Sequence, residues 1–380
     1  MLIRLIIYFS AACIFSSCSS LSINKAVEVN ENEDWLMSGG NPEKTNVSMS
    51  SENLNPPFNL QWQYDVDAGL SKSCLSASDA ILFANTLKGD SYSFDISTGK
   101  SLGRFSSTGR ASFSTPVVYD NNLIITSSGD NSSRIFSYNL LKGEAQWQRN
   151  VSWVESSPVL AGENIYVSNT SGELYKLNVK SGNIIWKSKE GKYLKSFYNS
   201  PTVSKNVIYI GDNTGYMNAY ESEHCRLLWS YKTAASIYCD ASVSEGRVYF
   251  GSDDKCFYSI DTLGNLKWKK DLGTKFLSSP SFFKGSVIIS AVDGNVYSLD
   301  RENGNIIWTF HTKGVISASP LLHKDKIFIG SYDKFFYCIN ASDGKELWKY
   351  KCEGRIHTGA VIWKNYIFTA SDEKYIYCFK

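Results

Sequence analysis

The chain has 380 residues, 43% of them apolar and 20% charged, a balance that excludes intrinsic disorder. Its 39 basic and 37 acidic residues leave a net charge of +2 with no long block of either sign, so the electrostatic footprint of a nucleic-acid binder is absent. Aromatic residues reach 14%, with 10 Trp and 23 Tyr against 4 Met and 8 Pro, and this favours strands, where flat side chains suit a pleated, half-buried surface.

Residues 1–17 read as a signal peptide: Arg4, an apolar run over 5–15, then small residues before Cys18. The run is too short to span a bilayer. Phe15-Ser16-Ser17-Cys18 resembles a bacterial lipobox, which makes Cys18 the expected lipid-attachment residue, with Cys13 as a weaker competitor and plain secretion with cleavage near Ser20 as the alternative. Ser19 in place of Asp resembles the outer-membrane sorting choice of Gram-negative lipoproteins. Residues 18–33 are polar and aperiodic, which predicts a flexible tether.

From there the chain is periodic. Trp62, Trp147, Trp186, Trp229, Trp268, Trp308 and Trp348 are separated by 85, 39, 43, 39, 40 and 40 residues, and the first gap is two periods with one Trp missing. Such spacing marks a repeat array, so residues 34–380 form one object. Most units carry a turn residue, then Gly, then Trp four residues later, as in Asp300/Gly304/Trp308 and Asn340/Gly344/Trp348. The Asp or Asn bonds nearby backbone amides, and the Gly accepts the left-handed conformation that reverses the chain. The same frame places the missing Trp at Gly103 and puts Cys225 at a Gly position, where strain of ~1 kcal/mol or a rebuilt turn is expected.

About 12 residues after each Trp comes a run of small residues, such as Ser156-Ser157-Pro158 or Ala318-Ser319-Pro320. Eight copies occur and are read as innermost strands. An apolar run, a turn and a second run follow each one. Four short strands per unit of about 40 residues describe a propeller blade, with the small residues at the crowded axis and the Trp strand at the rim. The expected fold is therefore an all-β, eight-bladed β-propeller. The last unit is one strand short, and the spare strand at 60–64 is expected to pair with 375–380 and close the ring.

The turn–Gly–x–x–x–Trp and Ser-Pro-x-Val patterns resemble the PQQ-type repeat of quinoprotein propellers, as does the lead-in Asp34-Trp35-Leu36-Met37-Ser38-Gly39-Gly40-Asn41-Pro42. With the lipobox and the blade number, the chain resembles the BamB family of the outer-membrane β-barrel assembly machinery. The resemblance implies a non-catalytic, lipid-anchored scaffold on the periplasmic face of the outer membrane. Its implied partner is a protein, the barrel-inserting subunit, and its membrane contact is through the anchor only. No cofactor is implied by that family. The alternatives are a PQQ-dependent, dehydrogenase-like propeller, or a glycan-binding or sensor lipoprotein that exposed loop aromatics such as Trp153 and Trp363 could serve, although the plainer reading of both is blade packing.

The candidate chemistry is sparse. The predicted channel ring is Cys74, Thr115, Ser157, Ser200, Asp240, Ser279, Ser319 and Thr358, in which Asp240 is the single charge. A quinone with its calcium ion needs several converging oxygens and a base. Among His224, His311, His323 and His357, His357 alone falls at an innermost position, and no G-x-S-x-G elbow occurs. No close C-x-x-C or H-x-x-x-H pairing suggests zinc. Beyond Cys13 and Cys18, seven Cys remain, an odd number. Cys338 and Cys378 follow a Tyr at equivalent places in successive blades, which lie ~10 Å apart in packed sheets, beyond the ~7 Å Cα limit for a disulfide. Both are expected to be buried and unpaired.

Overall fold

Strands such as Lys326–Gly330 are buried on both faces and need a sheet on either side, which a ring supplies, while outer strands such as Glu346–Lys351 alternate with exposed residues. The computed structural model describes residues 21–107, 111–129, 133–188 and 195–380. Its strands form eight antiparallel four-stranded sheets, each built from strands adjacent in the chain except the last. Blade 1 runs from Leu70–Ser78 to Ser101–Ser106, and blade 7 ends with Glu346–Lys351. Blade 8 combines Val361–Trp363, Tyr366–Ala370 and Tyr375–Phe379 with the early strand Leu60–Asp65. That strand pairs Trp62 with Cys378 and Asp65 with Tyr375, so the expected closure between the two ends of the repeat region is present. The fold is an eight-bladed β-propeller.

The small-residue runs are not themselves the paired inner strands, except in blade 1. In blade 2 the inner strand is Val117–Tyr119, immediately after Ser114-Thr115-Pro116, and blades 3, 4, 6 and 7 follow suit. Proline has no N–H to give a ladder, so pairing starts after it. The amides just before it turn sideways to the neighbouring blade: Thr115 donates to Ser157 Oγ at 3.0 Å, Ser157 to Ser200 Oγ at 3.0 Å, and Ser279 to Ser319 Oγ at 3.0 Å.

At the rim, each tryptophan docks on the turn of the next blade. The Trp308 indole N–H donates to the Ala341 carbonyl at 3.1 Å, and its ring lies over Gly344, where an added Cβ would come within 2.6 Å. Trp62, Trp147, Trp186, Trp229 and Trp268 donate to the carbonyls of Ile96, Val179, Ser222, Thr262 and Arg301 in the same way. Gly344 sits at φ +72°, so it answers two demands at once: a left-handed turn and no side chain beneath the indole. Cys225 adopts φ 56°, so the fourth repeat keeps the common turn and carries the strain instead of rebuilding it.

Two seams depart from this rule. Trp348 faces blade 8, which has no covalent turn at that place, and packs against Phe58 with ring centroids 5.2 Å apart. Gly103 leaves the seam between blades 1 and 2 without an indole, and the N-terminal segment fills it. Leu21 lies against Gly103, the Ile23 N–H donates to the Leu140 carbonyl at 2.8 Å, and the Tyr138 hydroxyl donates to the Leu21 carbonyl at 3.0 Å. Leu140 is the counterpart of Val179 and Ala341, so a backbone amide takes the place of the missing indole N–H. The flexible tether expected at 18–33 is corrected for its described part: Leu21, Ile23 and Val27 are buried in an apolar cluster with Leu36, Phe83 and Tyr138. Three apolar side chains in a polar stretch carry too little periodicity to announce this.

A second repeated contact joins an Asp in the turn to the Tyr four residues later. Tyr258 donates to Asp254 at 2.6 Å and Tyr337 to Asp333 at 2.7 Å.

Trp308→Ala is expected to cost ~3–5 kcal/mol in denaturant unfolding, the range for removing a buried large aromatic side chain. Gly344→Ala, on the opposite side of the same contact, should cost more than about 1 kcal/mol because it both strains the turn and displaces the indole. Cys225→Gly should stabilise the chain by about 1 kcal/mol, read as a higher urea midpoint with an unchanged slope.

Candidate functional site

The axial channel is where a propeller of this type would hold a ligand, and one segment decides what it can hold. Residues 34–50 run around one mouth and bond to the inner strands of blade after blade. The amide of Trp35 bonds to the Ala77 carbonyl, and the Val118, Val203 and Val243 amides bond to the carbonyls of Leu36, Pro42 and Glu43. Leu322 of blade 7 accepts from the Ser48 amide and donates its own amide to the Asn46 carbonyl, and Asn46 Nδ2 reaches Ser279 Oγ at 3.1 Å and the Pro280 carbonyl at 3.0 Å.

At the centre of this plug stands Lys44, fully buried at φ 54°. Its Nζ lies 2.6 Å from Asp240 Oδ2, and the other carboxylate oxygen accepts the Ser200 amide at 2.7 Å. Burial pushes the Asp240 carboxyl up, but the charges of Lys44 and Lys72, with the hydrogen bonds from Lys44 and Ser200, outweigh it and hold the carboxyl below the usual range. The single channel charge that the sequence marks is thus already paired. Sequence reasoning missed Lys44. It occurs once, outside the repeat, and no spacing rule points from it to a residue 196 positions away.

The other predicted ring members are structural. Cys74 packs in the apolar core shared by blades 1, 7 and 8, and the Thr358 hydroxyl donates to the Ser71 carbonyl at 3.1 Å. Thr115, Ser157, Ser200, Ser279 and Ser319 take part in the blade-to-blade bonds described above. His357 bonds through Nε2 to the Leu70 carbonyl at 2.7 Å. Beside the plug lie two small cavities, one of ≈ 30 Å³ next to Asn46, Lys72 and Cys74 and one of ≈ 20 Å³ next to Lys72, Asp240 and Ser279, each with room for about one or two waters.

A quinone and its calcium ion do not fit these residues. Calcium takes six to eight oxygens, whereas here one carboxylate, already bonded to an ammonium, faces a channel plugged by Lys44 and Asn46. Among the described residues, no group of three or more His, Cys, Asp or Glu side chains is placed to hold a metal ion. The seven described cysteines are unbridged, Cys338 and Cys378 among them, and burial pushes the Cys338 thiol up to about 12, which makes it inert. Cys18 lies outside the described residues.

The two mouths differ. Beneath the lead-in, a cavity of ≈ 430 Å³ has an apolar floor of Leu36, Met37, Val118 and Leu160 and an acidic edge of Glu31 and Asp120. The opposite mouth is an open bowl of ≈ 470 Å³ lined by Leu70, Phe113, Tyr198, Tyr238 and Leu277. Trp153 stands beside Phe113 and is partly exposed, its indole N–H donating to Glu155 at 2.9 Å. Trp363 is buried in packing, as the plainer reading of it expects, and donates to Asp34 at 2.9 Å, so it offers no exposed aromatic for a glycan; it ends an inner strand, where the lead-in covers it.

The sequence profile described as outer membrane protein assembly factor BamB matches residues 58–188, 158–238, 234–323 and 292–379, which together span nearly all of the propeller. The chain belongs to the BamB family. The BamB of Legionella pneumophila (strain Paris) is 22% identical over 172 residues, covering 43% of this chain and 44% of that protein. The Escherichia coli (strain K12) BamB is 25% identical over 159 residues, covering 38% and 37%. The matched stretches thus span less than half the length of these curated relatives. In fold, the chain is similar to the crystal structure of BamB from Moraxella catarrhalis, with a TM-score of 0.71 at 15% identity over 86% of this chain and 98% of that one. It is also similar to the quinohemoprotein alcohol dehydrogenase of Comamonas testosteroni, with a TM-score of 0.76 at 10% identity over 92% and 81%. At such identities these two structures share the fold with this BamB family member, and the plugged channel distinguishes it from a quinone site.

Asp240→Asn, which leaves the Lys44 ammonium buried without its counter-charge, should cost ~3–5 kcal/mol at pH 7. Because the folded carboxyl is held below its unfolded value of 3.8, this contribution is complete above that pH and is lost as pH falls through the lower folded value. Urea unfolding from pH 7 down to pH 3 should therefore show a steeper acid loss in the parent than in Asp240→Asn.

Proposed function

We propose that this BamB-family propeller is a non-catalytic scaffold of the outer-membrane β-barrel assembly machinery, held at the periplasmic face by a lipid on Cys18 and binding the barrel-inserting subunit. The family match over nearly the whole propeller carries this reading. The Lys44–Asp240 pair supports its non-catalytic half, since it fills the place where a propeller cofactor would sit. The near-neutral charge favours protein recognition over phosphate binding. A rigid ring with loops on two faces presents a broad surface without needing a reactive centre.

The tests separate the anchor from the partner. Cys18→Ser should move the protein from the membrane to the soluble fraction after cell disruption; retention in the membrane would refute lipidation at this residue. Affinity purification of the full chain from detergent-solubilised membranes should recover the barrel-inserting subunit in near-stoichiometric amount. Its absence, with the bait intact and membrane-bound, would overturn the scaffold assignment.

A further inference from the structure

The seam between blades 1 and 2 is filled by the chain's own N-terminal strap, and the strap begins next to the expected anchor. Leu21 has no exposed surface, and three bonds hold its neighbourhood: Ile23 N–H to the Leu140 carbonyl, Tyr138 hydroxyl to the Leu21 carbonyl, and Val27 N–H to Asn121 Oδ1 at 2.8 Å. Lys25 adds an ion pair with Asp79 at 2.9 Å. Cys18 precedes Leu21 by three residues, a reach of about 10 Å at most. A lipid on Cys18 therefore cannot place the bilayer far from this seam.

We infer that the strap orients the propeller on the membrane, with the rim of blades 1 and 2 facing the lipid headgroups and blades 5 and 6 facing away. The inference rests on lipidation of Cys18 proposed above. The surface around the strap tolerates that neighbour without being special to it, since Ile306 and Ile307 on blade 6 are exposed as well, so the anchor and the strap alone set the orientation. Leu102 and Leu141 are exposed at the rim on either side, Lys142 is exposed next to Leu141, and the Ser22 hydroxyl bonds to the Leu141 carbonyl at 3.2 Å. Exposed leucines beside a lysine at a headgroup boundary bury apolar area while the ammonium meets lipid phosphate. A free tether of the whole 18–33 length would reach several times further and impose no orientation.

The test uses the full, lipidated chain purified from membranes, carrying Cys225→Gly to remove the one described cysteine that is not buried. A fluorophore is placed through Leu141→Cys on blade 2 or Ile307→Cys on blade 6, across the ring. The protein is incorporated into phosphatidylethanolamine/phosphatidylglycerol vesicles doped with headgroup-nitroxide lipid. Several-fold stronger quenching at position 141 than at 307 is expected. Adding Ile23→Pro, which removes the amide donor to Leu140, should bring the two sites together while the protein still floats with the vesicles. Equal quenching in the protein with an intact strap, with flotation preserved, would overturn the orientation alone. Loss of flotation in that protein would overturn lipidation and the orientation with it.

Discussion

The contact on which the whole ring depends is the one between an indole and a glycine of the next blade. A four-stranded sheet of some forty residues cannot bury both its faces alone, and the propeller makes each blade the lid of its neighbour. The rim half of that lid is a tryptophan that spreads a large apolar area over a turn and gives its N–H to a carbonyl there, as Trp308 does with Ala341 above Gly344. The turn must be left-handed to reverse the chain and bare to admit the ring, and glycine meets both demands. Where the rule lapses, the gap is filled from elsewhere in the chain: Phe58 meets Trp348, and Leu21 with Ile23 occupies the place at Gly103. The acceptor carbonyl of Leu140 is satisfied in either case, because a buried carbonyl without a donor would be costly.

The axial end of the blades follows a different economy. Eight strands converging on a narrow channel leave room for small side chains only, and those side chains link blade to blade through their hydroxyls. The resulting polar lining would admit a ligand, and an enzyme of the same fold carries a quinone name. Here the lead-in closes one mouth and places an ammonium on the one channel carboxylate. An ion pair of this kind costs desolvation to form and gives little net stability, yet it is costly to break. Its effect is to make the register of the lead-in unique, since Lys44 has only one carboxylate to meet, while Asn46 two residues on reads the Ser279–Pro280 backbone.

How much of this was legible in the sequence follows from how often each contact recurs. The tryptophan spacing, the turn glycines and the odd Gly103 are periodic, so the blade number, the closing strand and the missing indole could all be read off by alignment of the chain with itself. The position of Cys225 in the left-handed turn was legible for the same reason. The Asp254–Tyr258 and Asp333–Tyr337 latches recur as well and were visible as Asp-x-x-x-Tyr, although nothing in the composition set them apart from turn residues. The Lys44–Asp240 pair and the packing of Leu21, Ile23 and Val27 occur once each, between segments about a hundred or more residues apart, and only the closed ring brings the partners together. Trp363 is packed, as its plainer reading has it, but that the lead-in residue Asp34 is its partner could not be read from spacing.

A ring of near-equivalent blades has a consequence for recognition. It offers nearly the same rim eight times, so anything that binds one blade by its repeat features would bind the others almost as well. Selectivity requires something that marks one sector or one face, and the repeats cannot supply it. The single-copy segments can. The lead-in covers one mouth and leaves the other as an open aromatic bowl, which makes the two faces inequivalent. The strap at Gly103 and Phe58 at Trp348 make two of the eight seams chemically different from the rest. These segments break the symmetry of the ring while also completing its packing, so changes to them would alter both the stability of a seam and the direction in which the propeller presents itself.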